Sequence, residues 1–230
     1  MISYEEQTVA SGNPIARFAH RNRLKRSLRL ASDQLPQDGH LLDYGCGDGR
    51  FVKNISLLGF NAVGYEPFME EHLEGVQVVR SYEEIVDLGV AFDLITVFET
   101  LEHLEDQEIV ELLERAKGII SPSGKILFSV PIEIGPAVIL KTLNREWRCG
   151  KPGFNTITPS LLKAACFGIP ESRAEDVKSS HQGFDFRKSI RFLENNGCTV
   201  NVIAYGPIPG GFWYGNSQVY FTAQLAKNDD

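Results

Sequence analysis

Apolar and polar positions change their period along the chain, and each change marks an element. Ile15, Phe18, Leu24 and Leu28 recur at helical spacing and predict an amphipathic helix over 14–33. Pro36-Gln37-Asp38-Gly39 ends it. His40 to Tyr44 then reads as a short strand running into Gly45-Cys46-Gly47-Asp48-Gly49, followed by a helix from Arg50 to Leu58 with Gly59 as its stop. Asn61–Tyr65, Val76–Val79 and Ala91–Phe98 are the next strands expected, with Glu66-Pro67 closing the first of them. Ile109, Leu112, Leu113 and Ala116 give Gln107–Ile120 a helical stripe. Ser121-Pro122-Ser123-Gly124 reads as a turn before a fifth strand, Lys125–Val130.

Strands alternating with helices predict a parallel sheet with helices on both faces. Right-handed crossovers then restrict the topology. The near-continuous apolar runs of the fourth and fifth strands fit burial on both sides. Residues 131–184 break the rhythm: five prolines fall there, with helical pieces expected at 137–144 and 159–167. Helix resumes over Phe186–Asn196, with Asp185 as its cap. Thr199–Tyr205 and Gln218–Ala223 follow as strands. The loop read between them, Gly206–Gly211, is too short for a helical crossover, so the two should pair antiparallel.

At 230 residues, against about 150 per domain, the chain is expected to form one domain with elaborations. Its 23 basic and 30 acidic residues leave a net charge of −7. That makes nucleic acid an unlikely partner, because general affinity for phosphate backbones comes from excess Lys and Arg. The four cysteines form no CxxC pair, which removes zinc-ribbon and thioredoxin-type chemistry. No apolar run has the length of a membrane span, and residues 1–6 do not open as a signal peptide. A cytoplasmic protein is expected, with oligomeric state unspecified.

The candidate chemistry starts at the glycine-rich turn. Between a strand and a helix, glycines let a backbone approach a bulky ligand and turn N–H groups toward it. Glu66 ends the next strand, 19 residues after Gly47, where a carboxylate can accept hydrogen bonds from ribose hydroxyls. A dinucleotide fingerprint requires GxGxxG; here Arg50 stands at the third glycine's place, against NAD and FAD.

These residues resemble the class I S-adenosylmethionine-dependent methyltransferases of small-molecule type. The likeness rests on Asp43–Gly49, on Glu66, on Phe92-Asp93-Leu94-Ile95 running into Glu99-Thr100-Leu101-Glu102-His103-Leu104, and on Ile120–Leu127. It implies a Rossmann-like α/β fold: a seven-stranded, mostly parallel sheet with its last strand antiparallel, in three α/β/α layers, with an insertion after the fifth strand. It also implies site roles. Gly45, Cys46 and Gly47, with Tyr44, would line the methionine part of the S-adenosylmethionine cofactor, and Asp43 would lie near its amino group. Glu66 would bind the ribose, with Pro67 and Phe68 beside it, and Ser81-Tyr82 would edge the adenine. Phe98 and Glu99 would sit near the sulfonium.

The Glu99-x-x-Glu102-His103 cluster has three readings. It is a polar helix start favoured by the dipole, or it holds a general base in His103, or it supplies ligands for a divalent metal, with His181 as a further candidate. The cluster resembles that of ubiquinone-pathway and small-RNA 2′-O-methyltransferases. The Asn/Asp-Pro-Pro-aromatic motif of enzymes that methylate DNA base amino groups is absent after the fourth strand. The expected acceptor is an oxygen of a small molecule, lipid or saccharide. It would be selected by an N-terminal helical lid (1–36) and by an acceptor-side insertion (131–184) rich in Ile132, Ile134, Val138, Ile139, Leu140, Leu143 and Trp147. The basic residues of the N-terminal helix, Arg17 to Arg29, read first as a solvated face. A non-catalytic cofactor-binding subunit is the alternative function, and a nucleotide-linked oxidoreductase the third.

Overall fold

The computed structural model describes residues 14–68, 71–139, 142, 159–167, 184–208 and 210–226. The strands are β1 (His40–Tyr44), β2 (Asn61–Tyr65), β3 (Val78–Val79), β4 (Phe92–Phe98), β5 (Ile120–Pro131), β6 (Cys198–Gly206) and β7 (Gln218–Leu225). They form a seven-stranded sheet in the order β3-β2-β1-β4-β5-β7-β6. The helices are α1 (Pro14–Gln34), α2 (Arg50–Leu57), α3 (Tyr82–Asp87), α4 (Asp106–Ile119), α5 (Pro159–Ala165) and α6 (Phe186–Asn195). Two compact units divide the chain at Thr96 and Val97.

In the first unit, β1 pairs parallel with β2, His40 opposite Asn61 through Tyr44 opposite Tyr65. It pairs parallel with β4 on its other side, Asp43 opposite Thr96. Leu41, Leu42, Leu94 and Ile95 are buried at 0–1% exposure, as strands covered on both faces require. Helix α2 adds Val52 and Ile55 to this core. β3 is only two residues long, shorter than Val76–Val79. The Val76 N–H turns back to Leu73 O, and the Val76 side chain lies against Gly49 instead of joining the ladder.

In the second unit, β7 runs antiparallel to both β5 and β6, so the expected hairpin-like pairing holds. Phe128 and Phe221 stack across β5 and β7 with ring centres 5.1 Å apart. Ser121–Gly124 is not a turn: β5 begins at Ile120 and runs straight through it. Gly124 takes no left-handed φ, and Pro122 tolerates extended backbone. Asp185 caps α6 as expected, accepting the Arg187 N–H at 3.1 Å. Of the insertion, residues 137–139 and 142 and the helix α5 are helical. Val138, Ala164 and Ala165 make a small buried cluster with Ile139 and Leu161. Leu140, Leu143, Trp147 and His181 lie outside the described residues. Among the described residues, no helix is long and apolar enough to cross a membrane.

Candidate active site

The first unit carries the glycine turn. Gly45, Gly47 and Gly49 all take positive φ, at 80°, 54° and 79°. This is left-handed backbone that a side chain strains. They serve different ends. At Gly49 a Cβ would strike Val76 Cγ1 at 2.8 Å, so that glycine is required by packing. At Gly47 a Cβ would meet nothing within 4 Å, so that glycine borders open space.

Gly47 is held from two sides. Its N–H donates to Glu66 Oε2 at 3.1 Å, and its carbonyl faces His72 Nδ1 at 3.1 Å. A carbonyl only accepts, so His72 carries its proton on Nδ1 in this contact. The second oxygen of Glu66, Oε1, accepts the Phe68 N–H at 3.1 Å. Leu73 N–H donates to Asp48 O at 2.9 Å, so residues 72–76 brace the turn from behind.

Asp43 sits beneath the turn, 4% exposed, and accepts the Thr96 hydroxyl at 2.7 Å. Burial pushes its carboxyl up to about 7; the Thr96 hydrogen bond opposes this, and the negative charge of Glu66 adds to it. Burial likewise pushes the Cys46 thiol up, with the charge of Asp43 adding to the effect. Cys46 Sγ fills the place that a Cβ on Gly64 would take. Tyr44 ends β1 with its ring tilted on Tyr65, centres 4.7 Å apart. Phe68 is 91% exposed. Ser81 follows β3 in extended backbone and caps α3, its Oγ accepting the Glu84 N–H at 3.2 Å.

The second unit carries the rest. Phe98 ends β4, and Glu99 follows it with φ 51°, an uncommon conformation for a non-glycine residue. Gln218 Nε2 donates to Glu99 Oε1 at 2.7 Å and to Ser129 Oγ at 3.0 Å. Ser129 Oγ also donates to Glu99 Oε1 at 3.3 Å, and the Tyr220 hydroxyl donates to Gln218 Oε1 at 3.1 Å. This network fixes the Glu99 carboxylate at the ends of β4, β5 and β7.

Glu102 and His103 lie in a three-residue 3-10 turn, Leu101–His103. Glu102 is fully buried and His103 half-buried. The cluster does not start a helix. α4 begins later, at Asp106, where Glu105 and Glu108 form a reciprocal capping box. The metal reading does not fit the described residues either. No three His, Cys, Asp or Glu among them converge on a metal position, Glu102 is enclosed, and Glu99 is committed to Gln218 and Ser129.

Sequence reasoning missed Thr96, Ser129, Gln218 and Tyr220. Their signal was present: each is a polar group inside an apolar strand, which burial tolerates only with a partner. His72 had no such signal, because it lies in irregular chain.

A family model described as a methyltransferase domain matches residues 16–164. The ubiquinone biosynthesis O-methyltransferase of Azorhizobium caulinodans is 29% identical over 100 residues, which is 39% of this chain and 39% of that protein. The chain thus spans well under half the length of this relative. A SAM-dependent methyltransferase structure from Archaeoglobus fulgidus is 16% identical with TM-score 0.56, covering 96% of this chain and 97% of that one. Magnesium protoporphyrin IX methyltransferase from Synechocystis, solved with bound SAH, is 12% identical with TM-score 0.53, covering 93% and 88%. At these identities the structures share the fold.

Proposed function

From the premise that the chain belongs to the methyltransferase-domain family, we propose S-adenosylmethionine-dependent methyl transfer to an oxygen of a small-molecule, lipid or saccharide acceptor. The observation that carries this reading is the pairing of Gly47 with Glu66. The strand-end carboxylate holds the turn by one lone pair on each oxygen. A carboxylate has about four acceptor positions, so two remain for a pair of vicinal ribose hydroxyls. No atom lies within 4 Å of where a Cβ on Gly47 would sit, so a ligand can approach the turn on that side. Asp43 suits the ammonium of the methionine part. It is a buried carboxyl without a cationic partner in its hydrogen bonds, and an arriving positive charge would favour its ionised form. Gly45, Cys46 and Tyr44 line the same turn, with Pro67 beside Glu66.

When bound, S-adenosylmethionine supplies a methyl group on a positively charged sulfur. The chain's part is then to position the acceptor and to manage one proton. We assign His103 the role of proton acceptor, and Phe98 and Glu99 the wall near the sulfonium. Glu99 is pre-oriented by Gln218 and Ser129 and so needs no reorganisation when charge develops. Oxygen as the nucleophile accords with the likeness to a ubiquinone biosynthesis O-methyltransferase.

Calorimetric titration with S-adenosylhomocysteine tests the cofactor assignment. Glu66→Ala is expected to bind roughly ten- to a hundredfold more weakly, from a loss of about 1.5–3 kcal/mol in a charge-assisted hydrogen bond. Equal affinity in the two proteins overturns the ribose role. With an acceptor in hand, His103→Ala is expected to lower kcat by roughly 10²–10⁴ while leaving S-adenosylhomocysteine affinity unchanged. Full turnover at saturating acceptor would remove His103 from the chemistry.

A further inference from the structure

The connection from β6 to β7, described over 207–208 and 210–217, is tied by hydrogen bonds and exposes aromatic rings. Asn216 is 1% exposed and ties the loop from within: its Oδ1 accepts the Ile208 N–H at 2.7 Å, and its Nδ2 donates to Phe212 O at 3.1 Å. Trp213–Gly215 forms a 3-10 turn over this knot. Ser217 closes the base, its N–H on Gly206 O at 2.8 Å and its carbonyl accepting the Ile132 N–H at 2.9 Å. Trp213 is wedged edge-on between Phe167 at 5.3 Å and Phe186 at 5.7 Å. Arg187 lies over its ring at 5.7 Å, and Asp185 pins Arg187 through both carboxylate oxygens.

On this fixed base stand Phe212 and Tyr214. Their rings are parallel within 4°, centres 5.2 Å apart, and they are 71% and 41% exposed. Phe167 and Ile208 extend the apolar surface. Two parallel stacked rings left exposed form a platform. The same connection leads along the chain into the proposed chemistry: Gln218, two residues after Asn216, is the donor that orients Glu99.

We propose that the Phe212–Tyr214 shelf binds the methyl acceptor, and that the acceptor presents a flat aromatic ring to it. A third ring continues an offset stack at the same spacing, and aromatic pairs prefer centre separations of roughly 4.5–7 Å. A saccharide would instead demand polar groups to receive its hydroxyls. Among the described side chains the Tyr214 hydroxyl is polar, but Phe167 and Ile208 at the rim bring no polar group and Arg187 is committed to Asp185. This assignment rests on the methyl-transfer reading and narrows its acceptor to a ring-bearing alcohol or phenol.

The test uses two probes of one skeleton, 2-naphthol and decahydro-2-naphthol, the first flat and the second puckered. Binding is read by saturation-transfer NMR and titration, on the free protein and on protein loaded with S-adenosylhomocysteine. We expect 2-naphthol to bind at least tenfold more tightly than its saturated partner. Phe212→Ala and Tyr214→Ala should each weaken it roughly three- to tenfold, while Tyr214→Phe restores wild-type binding. S-adenosylhomocysteine affinity should stay unchanged in all of these variants, and so should the melting temperature of Phe212→Ala, whose ring is 71% exposed; Tyr214→Ala also loses edge-on packing against Phe167 and Trp213, which Tyr214→Phe keeps. Equal binding of the two probes, or unchanged 2-naphthol binding in Phe212→Ala, overturns the shelf. So does a concentration-dependent dimer, or sedimentation with phosphatidylcholine vesicles, that Phe212→Ala abolishes; either gives the patch to another occupant. Failure of S-adenosylhomocysteine to bind on the same samples would instead sink the methyl-transfer reading, while 2-naphthol binding by the free protein still judges the shelf.

Discussion

A carboxyl that folding buries is a liability until a cation arrives, and Asp43 is such a group. Its folded pKa is about 7 against an ordinary 3.8, chiefly because burial disfavours its charged form. Between those two values the folded chain holds a proton that the unfolded chain has released. Raising the pH through this window therefore favours unfolding. The contribution of Asp43 to stability falls as pH rises from about 4 to about 7, the reverse of an ion-paired aspartate. Asp43→Asn keeps the shape and an acceptor for Thr96 but has no charge to bury. We expect its melting temperature to vary less with pH across this window than that of the wild type, and to exceed it at pH 7.5. Parallel thermal unfolding at pH 5 and pH 7.5 checks this, and equal pH slopes in the two proteins would contradict it. The same variant should bind S-adenosylhomocysteine less tightly, because the ammonium loses its counter-charge. Glu66 is a different case. It braces its own turn as well as facing the open side, so Glu66→Ala carries a stability cost that its position in the sequence did not announce.

At the scale of elements, the turn between β1 and α2 is shaped by what lies behind it. Gly64 of β2 has no φ requirement; it is glycine because Cys46 Sγ occupies the site of its side chain. Adding a methyl there overpacks a buried contact, which costs roughly 1–3 kcal/mol. We expect Gly64→Ala to lower the denaturant midpoint by that amount and to weaken S-adenosylhomocysteine binding, since Cys46 must move and carries the turn with it. The double variant with Cys46→Ala should recover part of both losses, as a coupling energy in a double-mutant cycle. Strict additivity would mean that the two residues do not press on each other. α6 follows the same logic at its start. Asp185 both caps the helix and pins Arg187 over Trp213, so one residue sets the helix and the floor of the aromatic loop.

For the whole molecule, the chain divides into two compact units at Thr96 and Val97. Among the described residues, two buried thiols report on the units separately: Cys46 at the turn after β1 and Cys198 at the start of β6. Burial pushes both thiols upward, which withholds the reactive thiolate. Cys166 is exposed. Under native conditions iodoacetamide should label Cys166 and spare Cys46 and Cys198. In rising urea each buried thiol should become reactive at the midpoint at which its own unit unfolds. Peptide mapping after pulse labelling gives the two midpoints, and labelling of either thiol well below the loss of circular dichroism would contradict its burial in a cooperative core.

Local periodicity carried the element order, the parallel β1–β2–β4 centre and the antiparallel β7, because strand and helix periods and turn residues are properties of neighbouring positions. It also located the glycine turn, Glu66 and the cap at Asp185, whose chemistry depends on spacing of a few residues. Partner choice over long separations was decided only by the tertiary structure. Gln218 reaches Glu99 across 119 positions, and Thr96 reaches Asp43 across 53. Folding likewise gave the three polar side chains after β4 distinct surroundings. Glu102 is enclosed, Glu99 is tethered and His103 is half-buried. A pattern along a chain records which residues want burial or a hydrogen bond; which group supplies it is settled when distant strands take their register.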